Sequence, residues 1–261
     1  MKQLLNCHNN LHLGDCIETL HYLINVVENN EISFNFACVP DYHSQLSEMI
    51  RDYSDKIKLV SNTQLAQDSI ETWVAGYGDY YGEIITKSVE LNGYLDQATC
   101  FLLHWIRISQ LIGVKCPFIT KTDLIYNQKV LSEDCSHKEN YDYLFINSVP
   151  RSGQCNSFSD FESISFIKRL ISKNRTVITT KKIGDIPCTL DYGLSIVEIG
   201  KLAKNVKNIV AVNTGPLHLC MNKWSLSNIN KFIIWSSAES FGYGTNFKTV
   251  KTLGEIDESD I

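Results

Sequence analysis

No C-x-x-C pair and no cysteine–histidine cluster at zinc spacing occurs in the 261-residue chain, although nine cysteines are scattered from Cys7 to Cys220. Their absence argues against a zinc-built module, and an odd set of dispersed thiols reads as one kept reduced in a cytosol. No apolar run approaches the length of a membrane span, and the opening Met1 to Asn10 has too short an apolar core for a signal peptide. Excess positive charge is missing as well: 24 basic residues face 29 acidic ones, a net charge of −5, which argues against a dedicated nucleic-acid binder. No repeat of solenoid length is evident. What is there is ordinary: 44% hydrophobic and 20% charged residues, the composition of a globular protein long enough for one large or two medium domains.

The most informative stretch is Ile209 to Leu219, Ile-Val-Ala-Val-Asn-Thr-Gly-Pro-Leu-His-Leu. Ile209 to Val212 fits a strand buried on both faces, as a parallel sheet requires. Asn213, Thr214 and Gly215 then form a turn and cap a helix that carries Pro216 at its first position. The amides and dipole of such a helix start favour an anion, with His218 one turn in and facing the same side. The plain alternative is a structural strand–turn–helix such as any α/β protein contains.

Other segments repeat this rhythm. Leu4 to Cys7 is a strand candidate, Leu13-Gly14-Asp15 a turn, and Cys16 to Glu28 an amphipathic helix with Asp15 as its N-cap. Strands at Ile32 to Val39 and Ile57 to Val60 flank a helix from His43 to Arg51. Trp73 to Gly82 mixes glycines and aromatics, as does Phe241 to Gly244, suiting loops. A helix from Tyr94 to Ile112 stops at Gly113. Lys129 to Asn140 is polar and reads as a linker, after which strands at Tyr143 to Asn147, Arg175 to Thr180 and Lys231 to Trp235 alternate with helices at Phe158 to Ser172 and Ser195 to Lys204. The expected class is therefore α/β, two similar domains with open parallel sheets, residues 1–138 and 139–261, which would leave a cleft between them. Ligands in such sheets bind at the carboxyl ends of the strands.

The run from Leu194-Ser195-Ile196-Val197-Glu198-Ile199 through Val212-Asn213-Thr214-Gly215-Pro216-Leu217-His218-Leu219 resembles the C-terminal signature of glycosyltransferase family 9, the bacterial heptosyltransferase group. The Leu13-Gly14-Asp15 turn is similar to that family's N-terminal turn, and the helix ending at Gly113 to the one closing its first domain. The resemblance implies a GT-B fold, two Rossmann-like domains with parallel sheets facing across a cleft, residues 1–138 on the acceptor side and 139–261 binding the nucleotide sugar. It also implies an inverting, metal-independent transfer of a sugar from a nucleotide diphosphate donor to a glycan or lipid-linked glycan acceptor, as in lipopolysaccharide assembly. No cofactor is implied beyond the donor substrate, and no nucleic-acid partner or integral membrane segment. The place implied is the cytoplasm, with peripheral contact at the inner membrane face.

By matching position, Asp15 would be the general base. Ser148, Arg151, Ser152, Asn213, Thr214, Gly215 and His218 would hold the diphosphate, and Thr180, Leu194 and Ser195 would border the base and ribose. The family's acid before Thr-Gly-Pro is Asn213 here, and its lysine after the Ser148 loop has no obvious counterpart among Gln154 and Asn156. Two other readings follow from the residues. Asn213 suits a non-catalytic sugar- or nucleotide-binding protein of the same fold, and Val149-Pro150-Arg151-Ser152-Gly153 resembles the phosphate loop of sulfotransferases.

Overall fold

A computed structural model describes residues 3–72, 97–150, 155, 158–237 and 247–257. Arg151, Ser152 and the loops expected at 73–82 and 241–244 lie outside the described residues. The chain divides into two compact units, Met1–Val130 and Leu131–Ile261.

The first unit is built on β1 (Gln3–Asn9), α1 (Leu13–Asn29), β2 (Ile32–Cys38), α2 (His43–Ser47), β3 (Ile57–Ser61), β4 (Ile70–Glu71) and α3 (Gln97–Leu111). Its four strands run parallel in the order β3-β2-β1-β4. The short β4 carries no sequence periodicity to reveal it. Residues Cys16 to Val27 of α1 are buried all round the helix, not on the apolar stripe alone. This corrects the amphipathic expectation, and the polar residues concerned find partners inside. His21 stacks between Phe118 and Tyr126, with ring centroids at 4.9 and 4.3 Å. Tyr22 stacks on Trp105 at 4.6 Å and shares a 2.8 Å hydrogen bond with Ser109 Oγ. Gly113, at φ 71°, ends α3 as expected, and Val114 N–H donates across it to Ser109 O at 2.9 Å.

The second unit contains β5 (Tyr141–Ile146), α4 (Asp160–Ser172), β6 (Val177–Thr179), α5 (Ile196–Leu202), β7 (Val206–Val212), α6 (Gly215–Cys220), α7 (Lys223–Leu226), β8 (Lys231–Trp235) and β9 (Phe247–Val250). The sheet is parallel, in the order β6-β5-β7-β8-β9. Tyr143, Phe145, Val210, Val212, Ile233 and Trp235 from its strands pack with Phe166, Ile167 and Leu170 of α4. Strands covered on both faces need near-continuous apolar runs, which is why β7 and β8 stand out in the sequence.

Two details fix the helices under β7. A Cβ on Gly200 would lie 2.9 Å from Leu219 O, so glycine is what lets α5 and α6 approach so closely. Buried Asn222 uses its whole amide: Nδ2 donates to Gly200 O and Leu219 O at 3.0 and 2.8 Å, while Oδ1 accepts from Trp224 N and Ser225 N at 3.1 and 2.9 Å.

The polar stretch from Lys129 to Asn140 contains the division between the two units, as a linker would, and it is fastened to the second unit. Lys201 Nζ donates to Glu133 Oε2 at 3.2 Å and Glu198 Oε1 at 2.8 Å, and Ser136 N–H donates to Glu198 Oε2 at 2.6 Å. Burial pushes the Glu198 carboxyl up, but these bonds outweigh it and hold its pKa down at about 2. The charged residues that suggest a linker are thus the ones that fasten it to α5.

Candidate functional site

Strand order reverses between β5 and β7, because the chain leaves β5 towards β6 on one side and returns to β7 on the other. In open parallel sheets this switch point is where a crevice forms at the carboxyl ends of the strands. Ser148, two residues beyond β5, and Asn213 to Gly215, just beyond β7, stand on its two sides.

On the β7 side, Asn213 N–H still donates to Trp235 O at 3.1 Å, so the turn begins only after it. Thr214 is the N-cap in extended conformation, and its Oγ1 donates back to Val212 O at 3.3 Å. The helix starts at Gly215, so Pro216 is its second residue rather than its first, still within the turn where N–H groups lack intrahelical partners. His218 lies in this helix and is buried. Asn213 is 1% exposed, and its Nδ2 donates to Ser236 Oγ at 3.4 Å.

On the β5 side, the buried Asn147 binds the end of β6. Its Oδ1 accepts from Lys181 N at 2.7 Å and Thr180 N at 3.1 Å, its Nδ2 donates to Lys181 O at 3.1 Å, and its own N–H donates to Thr180 Oγ1 at 3.0 Å. Ser148 Oγ lies 3.1 Å from Thr180 Oγ1. Ser148 and Thr180, read separately from sequence as phosphate and base contacts, are therefore neighbours. Ser195 caps α5 by accepting from Glu198 N at 3.1 Å, and Leu194 beside it is buried.

Asp15 belongs to the first unit. It is not an N-cap: α1 begins at Leu13, His12 is the cap, and Asp15 in the first turn accepts from His12 N–H through Oδ2 at 3.1 Å. A carboxylate there gains from the helix dipole. Asn9, fully buried at the end of β1, accepts from Leu11 N at 3.0 Å and donates to Thr19 Oγ1 at 3.2 Å. Thr19 Oγ1 sits 2.9 Å from Asp15 O and 3.1 Å from Thr72 Oγ1, just past β4. This sheet also reverses, between β1 and β4, and Asp15 stands beside that reversal.

Sequence reading missed Asn147, counted as a strand residue, together with Lys181 and Ser236. An asparagine closing a strand before a turn was the available signal, and it occurs at Asn9, Asn147 and Asn213. Among the described residues no group of three or more His, Cys, Asp or Glu side chains could hold a metal ion, and no helix is long and apolar enough to cross a membrane.

No family model and no curated protein sequence matches the chain. Solved structures do. The E. coli heptosyltransferase WaaC, in its structure with ADP-2-deoxy-2-fluoro heptose, aligns over 99% of this chain and 97% of its own, with 11% identity and a TM-score of 0.60. The same enzyme with ADP gives 10% identity over 99% and 95%, with a TM-score of 0.56. The iron-containing dodecameric glycosyltransferase TibC from enterotoxigenic E. coli matches at 12% identity and a TM-score of 0.53, covering 95% of this chain and 62% of TibC. At such identities the likeness speaks for the fold: the chain has the α/β, parallel-sheet architecture of the GT-B heptosyltransferases.

Proposed function

We propose that the chain is a glycosyltransferase of the family 9 type, moving a sugar from a nucleotide diphosphate donor to a glycan or lipid-linked glycan acceptor. The observation that carries this reading is the switch point of the second sheet, with Ser148 on one side and the Asn213–Thr214–Gly215 helix start on the other. Its support is the fold shared with WaaC, whose structures hold ADP and an ADP-heptose analogue.

In the proposed reaction the Asp15 carboxylate takes the proton of an acceptor hydroxyl, whose oxygen forms the new bond to the anomeric carbon. The bond from that carbon to the diphosphate breaks on the opposite face, inverting the centre, and the nucleoside diphosphate leaves with the electron pair. Helix-start amides at Gly215, the Thr214 and Ser148 hydroxyls and His218 stabilise its charge without a metal. Thr180 and Ser195 lie towards the nucleoside. The proposed setting is the cytoplasm, with peripheral contact where the acceptor is lipid-linked.

A thermal-shift panel of UDP, GDP, ADP and CMP tests the donor half. A ligand at a hundred times its Kd adds about 2.7 kcal/mol to stability. Incubation with the matching nucleotide sugars and a glycan acceptor tests transfer. Silence in both assays removes the proposal, whereas binding without turnover, unchanged in Asp15→Asn, leaves a non-catalytic binding protein.

A further inference from the structure

We propose that Lys181 supplies the cation for the donor's diphosphate, and that the Asp160 carboxylate holds its place until the nucleotide arrives. The inference rests on the donor reading above and names a contact that reading lacks: the lysine expected after the Ser148 loop is absent there.

Lys181 directly follows Thr180 at the carboxyl end of β6. Asn147 grips its backbone on both sides, the N–H at 2.7 Å and the carbonyl at 3.1 Å, so the origin of the side chain is fixed against the end of β5. Its Nζ reaches Asp160 at 2.7 Å to Oδ1 and 2.8 Å to Oδ2. Asp160 is the first residue of α4, the helix that follows the β5 loop, and Ser159 caps that helix by accepting from Glu162 N at 3.3 Å. An anion therefore already sits where a helix start meets a lysine, the residue next in the chain to Thr180 of the Ser148–Thr180 hydroxyl pair, and it is a carboxylate of the chain itself.

The placement suits a diphosphate. Adjacent strands lie about 4.8 Å apart, so the end of β6 is about 10 Å from the end of β7 with β5 between. A diphosphate lying over the end of β5 has the Asn213–Gly215 turn on one flank, and a lysine from β6 spans the other. The Lys181–Asp160 pair is open to solvent, with the side chains 38% and 60% exposed, and exposed pairs exchange partners at little cost. A nucleoside diphosphate carries more charge than one carboxylate and can take the ammonium from it.

Opposite effects follow for the two partners. Lys181→Gln removes the cation and weakens binding of the panel's best nucleoside diphosphate about tenfold, whereas Asp160→Asn removes the competitor and tightens it several-fold, by the usual strength of charge-assisted bonds. Both shifts shrink when the matching nucleoside monophosphate is titrated. Isothermal titration of wild type and both variants reads this, with melting temperatures without nucleotide confirming that each variant is folded. Wild-type binding with neither variant shifted, or with both shifted the same way, overturns the role of Lys181 and leaves the donor reading standing. Failure of wild type to bind any of UDP, GDP or ADP overturns both, and does so before a variant is made.

Discussion

Asn9 and Asn147 occupy equivalent places, each closing the first strand of its unit at a point where strand order reverses, yet they bind in different directions. Asn9 spends its amide on its own turn and helix, through Leu11 N and Thr19 Oγ1. Asn147 spends its amide on the neighbouring strand, through Thr180 and Lys181. The first arrangement fixes the start of α1 and with it Asp15. The second fixes the end of β6, and with it a row of hydroxyl and ammonium groups. One fold element repeated in a chain thus supports a single carboxylate in one unit and, in the other, the edge proposed to bind the diphosphate.

The contrast breaks most visibly at Asp15. Asp15→Asn is expected to lower the transfer rate by at least ~10²-fold while nucleoside diphosphate affinity stays unchanged. Initial rates beside a binding titration check this, and a fully active variant would remove Asp15 from the mechanism.

Acid should also separate the two units. Burial holds His21 and His104 of the first unit at about 4, below the usual 6.5. Because their folded-state values are lowered, the unfolded chain binds protons first. Their stabilisation is complete above pH 6.5 and is lost as the pH falls towards 4, on the order of 3 kcal/mol for each histidine. Glu198 of the second unit, held at about 2, gives up its contribution only below the ordinary carboxylate range, between about 4.5 and 2. Hydrogen exchange between pH 7 and 4.5 should show peptides of the first unit losing protection first, and His21→Phe should reduce that loss. Equal loss in both units would contradict the assignment.

The asparagines themselves supply the next test. Asn147→Ala and Asn9→Ala should each cost about 2 kcal/mol by stranding buried partners. Their functional signatures should differ, Asn147→Ala raising KM for the donor and Asn9→Ala lowering kcat. Identical signatures would mean that the two turns do not divide the work. The smallest effect is expected at Gly200, where an added Cβ meets Leu219 O at 2.9 Å. Gly200→Ala should cost about 1–2 kcal/mol by overpacking and should weaken donor binding through displacement of α6.

Much of the second unit's fold was legible in the sequence, but the contrast between the two asparagines was not. Strand β8 falls where its apolar run does, and β7 with the following turn carries both strand and cap signals, because such strands must be apolar throughout. Helix α1 proved longer at its start than the periodicity shows, since the cap is His12, and its polar residues gave no sign of being buried. Nothing in Ser132 to Lys138 distinguishes a solvated linker from one pinned by Lys201, at Glu133, and by Lys204, which donates to Ser132 O at 2.8 Å, for both are written in charges. Asn147 and Lys181 escaped for a related reason: their importance lies in bonds across strands that are distant in sequence.

The central claim is that a nucleoside diphosphate binds at the switch point of the second sheet. A crystal structure with the best-binding member of the panel tests it directly. The account predicts the diphosphate over the end of β5, within hydrogen-bond reach of Ser148 and of the Thr214–Gly215 helix start, with Lys181 turned from Asp160 towards it. A nucleotide bound elsewhere on the chain, with that edge unchanged, would contradict it.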